Sequence, residues 1–500
     1  MKINLYSRIS RNNISALKVF LVLFFIAIFI LPLLIIEAGD GGFEVYAGDR
    51  EERKNVLDFV YQEIKDGYLN LDFKEEHLDF DFQQKYLQAG RELTEDITAA
   101  EEFKILGNFV HNLQDGHLRL RPIDDQWSEL FRSHNYQGLL DIRWIEDRPI
   151  IIAAPEELNL TGRELLKFNG LDFTDLIADT IKTWGGGGNT AQARDRVLIK
   201  EHYYSQYQLK KGELPGKLLL TVRDEEGKRE VLWQEPDSQR TISRESILKL
   251  NQEPSGSDES LEFSYDKNFA AGIMRINDFQ IHPVEMQNRL ESWLNELQER
   301  DEIRGIILDL RYNKGGNESF RRLLEYLIEE SIVVGHYRYR YSEKFLRFHP
   351  ERVLGDITAG RRSPRPAGEG YSGYWHWKIT PVEESFLREV PVVVLANSAT
   401  FSAGDIFVRM VLTHELGKVM GSKLVFSGQG LTEYTELPCG RYRLGFGLQE
   451  LRDENYQVVE NKTALPDRKV RLKLEEVRAG RDNQLQAALE YLKKIRTNAD

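Results

Sequence analysis

The chain has 500 residues, a formal net charge of −13 and 41% hydrophobic residues. A prior of roughly 100–200 residues per domain suggests about three domains with buried cores. The acidic balance argues against a general nucleic-acid-binding protein. Cys439 is the only cysteine, which excludes an internal disulfide and a cysteine-based zinc site.

The first predicted element is an apolar run from Val19 to Ile36, interrupted only by Pro32. Its length is close to the roughly 17–25 residues that span a bilayer. Basic residues precede the run and acidic residues follow it, which keeps the N-terminus in the cytoplasm and sends the rest across. Residues 1–47 are therefore predicted to be a signal peptide or a membrane anchor. Residues 48–500 are predicted to be exported, to the periplasm or the cell surface.

Residues 48–120 have the apolar spacing of amphipathic helices, and Thr98 with Glu101 forms a plausible capping box. This spacing predicts a small helical bundle that ends in the turn Asp115-Gly116-His117.

Residues 121–245 are predicted to be β-rich, with a hairpin over 218–233 and one helix near Thr174 to Trp184. The four glycines of 185–188 indicate a loop or hinge. A polar linker is predicted over 236–262.

Residues 262–485 alternate strands with helices, which predicts an α/β domain with an at least partly parallel sheet. Residues 343–380 interrupt the alternation with an aromatic segment that contains Trp375 and Trp377. A loop of this length is typical of a lid or a binding segment.

The segment after the apolar run 391–396 carries the first candidate for chemistry. A helix is predicted to begin near Ser402, where free backbone N–H groups favour negative charge. That setting suits a nucleophilic serine, although serine is also a common helix N-cap.

Other segments supply the groups that such a serine needs. The glycine turn after the strand 306–310 could form an oxyanion hole from the N–H groups of Gly315 or Gly316 together with that of Ala403. His117 is a candidate general base and Glu460 a candidate carboxylate to orient it. Each has an ordinary structural alternative, namely a simple turn, a structural histidine and a solvated glutamate. No metal site is predicted, because the histidines lack the spacing of metal ligands.

Together these motifs resemble the tail-specific (C-terminal-processing) serine protease family, which includes the tricorn core protease and the retinoid-binding repeats. The resemblance rests on three segments in particular: 113–118 with Asp-Gly-His, 309–316 with the glycine turn, and 397–405 with Ser402. It implies an α/β, crotonase/Clp-like protease core with a parallel-rich sheet, preceded by the helical bundle and a PDZ-like domain.

The family uses two catalytic arrangements. In one branch a lysine activates the serine, but Gln429 stands about where that lysine belongs, and the nearby Lys423 comes too early. In the tricorn-like branch a histidine and a glutamate activate the serine. The resemblance therefore favours Ser402 as nucleophile, His117 as general base and Glu460 as the carboxylate that orients it. Lys423 is the alternative base. The tricorn core has an extra serine before its histidine, and here that position is Gly116.

The resemblance therefore implies an exported serine endopeptidase that acts on proteins or peptides through an acyl-enzyme on Ser402, without a cofactor. A non-catalytic member of the same fold that binds peptides or apolar ligands is the alternative from another class. A serine esterase or amidase is a third possibility, since the fold does not fix the acyl group.

Overall fold

A computed structural model describes residues 49–123, 140–211, 217–224, 227–233, 260–300, 302–352 and 370–497. The predicted signal or anchor, including Val19–Ile36, lies outside these residues, as does most of the predicted linker. None of the helices within the described ranges is long and apolar enough to cross a bilayer.

Four helices form the first part of the described chain: α1 (Arg50–Gly67), α2 (Leu71–Leu78), α3 (Phe82–Glu92) and α4 (Ala99–His111). The predicted capping box is present, because the Thr98 side chain accepts from the Glu101 N–H while the Glu101 carboxylate accepts from the Thr98 N–H. The helices do not have a core of their own. Their buried side chains, such as Phe103 and Leu106, share one cluster with Leu444 and Phe446 far along the chain.

A mixed α and β region follows. Its strands are β2 (Asp141–Ile145), β3 (Arg148–Ala153), β4 (Arg163–Phe168), β5 (Leu171–Asp172), β6 (Leu218–Arg223) and β7 (Lys228–Trp233). Its helices are α5 (Phe173–Trp184), α6 (Thr190–Ile199) and α7 (His202–Lys211). The strands and α5 agree with the sequence prediction, but α6 and α7 were not predicted. Both helices bury residues around most of their circumference, so no apolar stripe marks them in the sequence.

The next sheet has six strands: β8 (Leu261–Asp266), β9 (Ala271–Ile276), β10 (Gly305–Asp309), β13 (Val392–Ala396), β14 (Lys418–Gly421) and β19 (Arg468–Lys469). They lie in the order β19-β14-β13-β10-β9-β8. All neighbours run parallel except β8 with β9. This arrangement confirms the predicted α/β core.

Helices cover both faces of this sheet, which explains why its strands read as continuous apolar runs. They are α8 (Pro283–Gln298), α9 (Phe320–Leu327), α11 (Ala403–Thr413) and the C-terminal α13 (Asn483–Thr497), with the short α12 (Leu474–Arg478) before it. The larger hydrophobic cluster lies with α8, α9 and α11, and a smaller one includes Leu489 and Leu492 of α13.

A second, antiparallel sheet contains β1 (Arg119–Pro122), β11 (Ile332–Tyr339), β12 (Trp375–Ile379), β16 (Gln429–Glu436) and β17 (Tyr442–Arg452). Its order is β1-β17-β11-β12, with β16 paired to β17. The short β15 (Leu424–Val425) and β18 (Thr463–Ala464) pair beside it. The pairing of Arg119 in β1 with Gly445 in β17 brings the Asp115–His117 turn to the core.

The aromatic segment 343–380 is more regular than the sequence suggested. Its described parts contain helix α10 (Glu343–Phe348) and strand β12, in which Trp377 packs against the main hydrophobic cluster. The prediction of one long irregular loop was therefore wrong for these residues, because alternating tryptophans in β12 lie on one face of a strand.

Candidate active site

Ser402 lies between β13 and α11 in an unusual backbone conformation, with φ 54° and ψ −120°. Its side chain makes no capping hydrogen bond, so the ordinary explanation of an N-cap serine does not apply. A non-glycine residue in such a region costs about 1–3 kcal/mol and persists only where its surroundings fix it. The sharp strand-to-helix turn presents the hydroxyl at the carboxyl end of the sheet.

His117 reaches this hydroxyl from a segment 285 residues earlier in the chain. Its Nε2 lies 3.1 Å from the Ser402 Oγ. The imidazole also stacks on the Phe401 ring, with centroids 4.6 Å apart. The structure thus brings together the two side chains that the sequence placed in separate domains.

The environment of His117 favours the neutral imidazole. Burial lowers the pKa of His117, and the positive charges of Arg119 and Arg196 lower it further, while Asp115 opposes the shift. A neutral imidazole can accept a proton, as a general base must.

The carboxylate beside His117 belongs to Asp115. Its Oδ1 accepts the backbone N–H of His117 at 2.7 Å and lies 3.7 Å from Nδ1 of the ring. Its Oδ2 accepts from the Tyr68 hydroxyl at 2.7 Å. Burial alone would raise the pKa of Asp115, but its contact with His117 and the charge of Lys74 outweigh burial and hold that pKa below its usual range. Asp115 is therefore an anion held near Nδ1 of the imidazole through its bond to the His117 backbone, although at 3.7 Å it does not hydrogen-bond that nitrogen.

Glu460 has a different set of contacts from the one expected. Its Oε1 accepts from the Lys74 ammonium and its Oε2 from the Gly428 N–H, both at 2.6 Å. Burial, followed by the charge of Asp115, raises the pKa of Glu460 against the effect of Lys74. The structure places Asp115, rather than Glu460, against the His117 ring, because the Asp115-Gly-His turn folds its own carboxylate back onto the histidine.

Lys423, the alternative base, is exposed and does not line the cavity at Ser402. Gln429, at the position where the other branch has its lysine, does line this cavity and is only 2% exposed. An amide has no basic nitrogen, so of the two bases that the sequence offered the geometry supports His117 and not Lys423.

The predicted oxyanion turn lies directly against the serine. A Cβ on Gly315 would be 2.7 Å from the Ser402 Cβ, so only glycine allows this approach. The Gly315 N–H, however, donates to Asn313 Oδ1 at 2.9 Å. Among the described residues the N–H groups of Gly316 and Ala403 have no such acceptor. The predicted set of donors thus narrows to Gly316 and Ala403.

Three contributors to the site were missed in the sequence. Lys74 and Tyr68 come from the helical region and reach the site only through tertiary packing, so no local pattern marks them. Asp115 had a signal, because an aspartate two residues before a histidine can accept the histidine backbone N–H in an Asx turn.

The fold and this site define a peptidase-like α/β protein, and comparison with known families agrees. Residues 270–470 match the description "Peptidase family S41". These residues are thus similar to a peptidase family S41 domain, which agrees with the family predicted from the motifs. A search of curated proteins gives no significant match.

Solved structures match over most of the chain. Mature CPAF in complex with lactacystin is 16% identical, with 90% of this chain and 99% of that chain covered and a TM-score of 0.61. A peptidase from Parabacteroides merdae, described as putative, is 17% identical over 89% of this chain and 97% of that chain, with a TM-score of 0.50. At such identities the likeness shows the shared fold.

Gly116 gives a test of the site's packing. A Cβ there would lie 2.5 Å from the Phe401 ring, which stacks on His117. We expect Gly116→Ala to displace that ring and to lower the free energy of unfolding by about 1–3 kcal/mol. Chemical denaturation would measure this change in the free energy of unfolding.

The matched control is Gly90→Ala in α3, where the nearest atom to a new Cβ is 3.7 Å away. That change should stabilise the chain by roughly 1 kcal/mol, since alanine favours helix. Equal stability of Gly116→Ala and the native chain would contradict the packing described here.

Proposed function

We propose that the chain is a serine endopeptidase of the tail-specific type that cleaves proteins or peptides through an acyl-enzyme on Ser402. The observation that carries the proposal is the 3.1 Å contact between His117 Nε2 and Ser402 Oγ, beside a glycine turn in the segment that matches family S41. A serine that served only as a cap, or a fold used only for binding, would not need a neutral buried imidazole at this distance.

In the proposed reaction His117 removes the Ser402 proton as Oγ attacks the carbonyl carbon of the scissile bond. The N–H groups of Gly316 and Ala403 stabilise the resulting oxyanion. Asp115 stabilises the imidazolium, which then protonates the leaving amine as the carbon–nitrogen bond breaks. Water, activated by His117, hydrolyses the acyl-enzyme and restores the serine. The roles of nucleophile, base and orienting carboxylate thus fall to Ser402, His117 and Asp115.

The nucleophile and the base can be tested on an unfolded protein substrate. Ser402→Ala should abolish cleavage and labelling by a fluorophosphonate, with an almost unchanged melting temperature. His117→Gln should lower kcat by a factor of about 10³ or more. Lys423→Met should leave activity unchanged, because that side chain is exposed.

Ser331→Ala is a matched control, since Ser331 is exposed just before β11 and does not line the cavity at Ser402. Activity that survives Ser402→Ala, or that disappears only with Lys423→Met, would refute this assignment. A fluorophosphonate that leaves Ser402 unlabelled in a correctly folded chain would favour the non-catalytic alternative.

The two buried carboxylates should behave differently when changed to amides. Asp115→Asn should lower kcat by about 10²–10⁴ with little change in KM, because the imidazolium loses its counter-charge. It should also move the acidic limb of the pH profile to lower pH, since Asp115 is the group that raises the pKa of His117.

Glu460→Gln should act mainly on stability. It leaves the fully buried Lys74 without its carboxylate, a change that costs about 3–5 kcal/mol. The pH at which kcat/KM falls should stay where it is in the native enzyme. If Glu460→Gln moved that limb and Asp115→Asn did not, Glu460 would be the orienting residue after all.

We also propose that residues 48–500 act outside the cytoplasm, on the basis of the basic N-terminus and the apolar run Val19–Ile36. A fusion of residues 1–48 to alkaline phosphatase should be active in a bacterial host, because this reporter requires export. Phe25→Lys with Ile28→Lys, which places two charges in the run, should abolish that activity. An inactive fusion with the native segment would rule out export by this route.

A further inference from the structure

The cleft at Ser402 is cationic although the chain is acidic. A cavity of about 770 Å³ is lined by Ser402, His117 and Gln429. Its basic lining residues are Arg119, Lys314, Arg321, Arg352 and Lys378, whereas Glu318 is the only acidic one among the described residues. In a chain with a net charge of −13, this concentration of positive charge at one place indicates a ligand of opposite charge.

Not all of these cations are available to a ligand. Arg321 already binds Glu318 at 2.9 Å. The Arg352 guanidinium donates to the Tyr339 hydroxyl at 2.6 Å, which is a neutral partner. Within the part of the chain that the structure describes, neither Arg119 nor Arg352 has a carboxylate within ion-pair distance.

Arg119 is the cation whose position is most informative. Its Nε donates to the Gly116 carbonyl at 3.0 Å, so one edge of the guanidinium is fixed to the turn that carries His117. Its remaining N–H groups have no acceptor among the described residues, and they have the geometry to form the paired hydrogen bonds that a carboxylate accepts. The side chain is only partly exposed, so screening by solvent is reduced.

The side of the cleft on which Arg119 lies follows from the reaction. The imidazole that removes the serine proton later donates a proton to the leaving amine, so the leaving group must lie along His117. Arg119 is two residues after His117 and lines the same cavity. It therefore lies where residues on the C-terminal side of the scissile bond would bind.

We propose that the cleft selects peptides with an acidic side chain just C-terminal to the scissile bond, and that Arg119 binds this carboxylate. This inference rests on the proposed peptidase function, because that reaction fixes the direction in which the substrate lies in the cleft. The aromatic and aliphatic lining, which includes Trp377 and Leu431, provides apolar contact for the neighbouring substrate residues.

Binding can be measured without catalysis in the Ser402→Ala chain. The probes are three fluorescein-labelled peptides, Ala-Leu-Ala-Asp-Ala-Leu and its counterparts with Asn or Lys in place of Asp. Fluorescence anisotropy should show that the Asp peptide binds about tenfold more tightly than the Asn peptide, as expected for one charged hydrogen-bonded pair. The Lys peptide should bind most weakly, and the differences should shrink in high salt.

Charge reversal separates binding of the substrate from a purely structural role. In the same chain Arg119→Glu should reverse the order, so that the Lys peptide binds best. Arg443→Glu is the matched control, because Arg443 is exposed on the neighbouring strand β17 and does not line the cavity. If Arg119→Glu fails to fold, Arg119→Gln should abolish the preference for Asp over Asn.

Equal binding of the Asp and Asn peptides, or a preference for Asp that survives Arg119→Glu, would overturn the proposal. In the active enzyme, digestion of unfolded proteins followed by mass spectrometry should show acidic residues enriched after the cut. Selective binding by a chain that cleaves nothing would refute the peptidase proposal alone. Cleavage that depends on Ser402 but shows no acidic preference would refute this inference alone.

Discussion

The site depends on how closely two turns approach each other at the carboxyl ends of β10 and β13. These parallel strands are hydrogen-bonded neighbours, so the turns that follow them begin side by side. One backbone hydrogen bond joins the two turns, because the Phe401 N–H donates to the Asn313 carbonyl at 3.1 Å. Within the first turn, the Asn313 side chain accepts from the Gly315 N–H. A side chain at Gly315 would collide with Ser402, and one at Gly404 would meet Asn313 Oδ1 at 2.4 Å. The two glycines therefore set the distance between nucleophile and oxyanion donors.

A second constraint is electrostatic, because three ionisable groups are buried together behind the histidine. Asp115 and Glu460 are both nearly inaccessible, and Lys74 lies with them as the cation. One cation cannot fully satisfy two carboxylates, so their environments move the two pKa values apart, that of Asp115 downward and that of Glu460 upward. Such divergence is how buried carboxylates acquire different roles. It leaves Asp115 as the permanent charge beside His117, and it ties helix α2 to the end of the core domain.

The sequence was sufficient where the signal is local. The apolar runs of β9, β10 and β13, the capping box at Thr98 and the strand-to-helix turn at Ser402 all depend on residues close together in the chain. The glycines at 315 and 316 also predicted a special backbone correctly.

What the sequence could not supply was pairing over long distances. Glu460 was a reasonable choice for the orienting carboxylate by its position in a motif, but the identity of the group that touches a ring is decided by tertiary packing. Helices α6 and α7 were missed for a related reason, since their burial on several sides removes the periodic contrast on which prediction relies.

Helix α6 also shows why the site needs more than its own domain. The Ser398 hydroxyl, in the turn before the nucleophile, donates to Asp195 of this helix. The neighbouring Arg196 guanidinium lies 3.4 Å from the centre of the Phe401 ring. One turn earlier, Gln192 donates to the Val425 carbonyl at 3.2 Å. These contacts hold both sides of a serine whose backbone would relax if left alone.

Because Phe401 in turn supports His117, loss of the helix would disturb nucleophile and base together. The unusual conformation of Ser402 is thus maintained by three regions of the chain, which explains why a short local motif is not by itself enough to form the site.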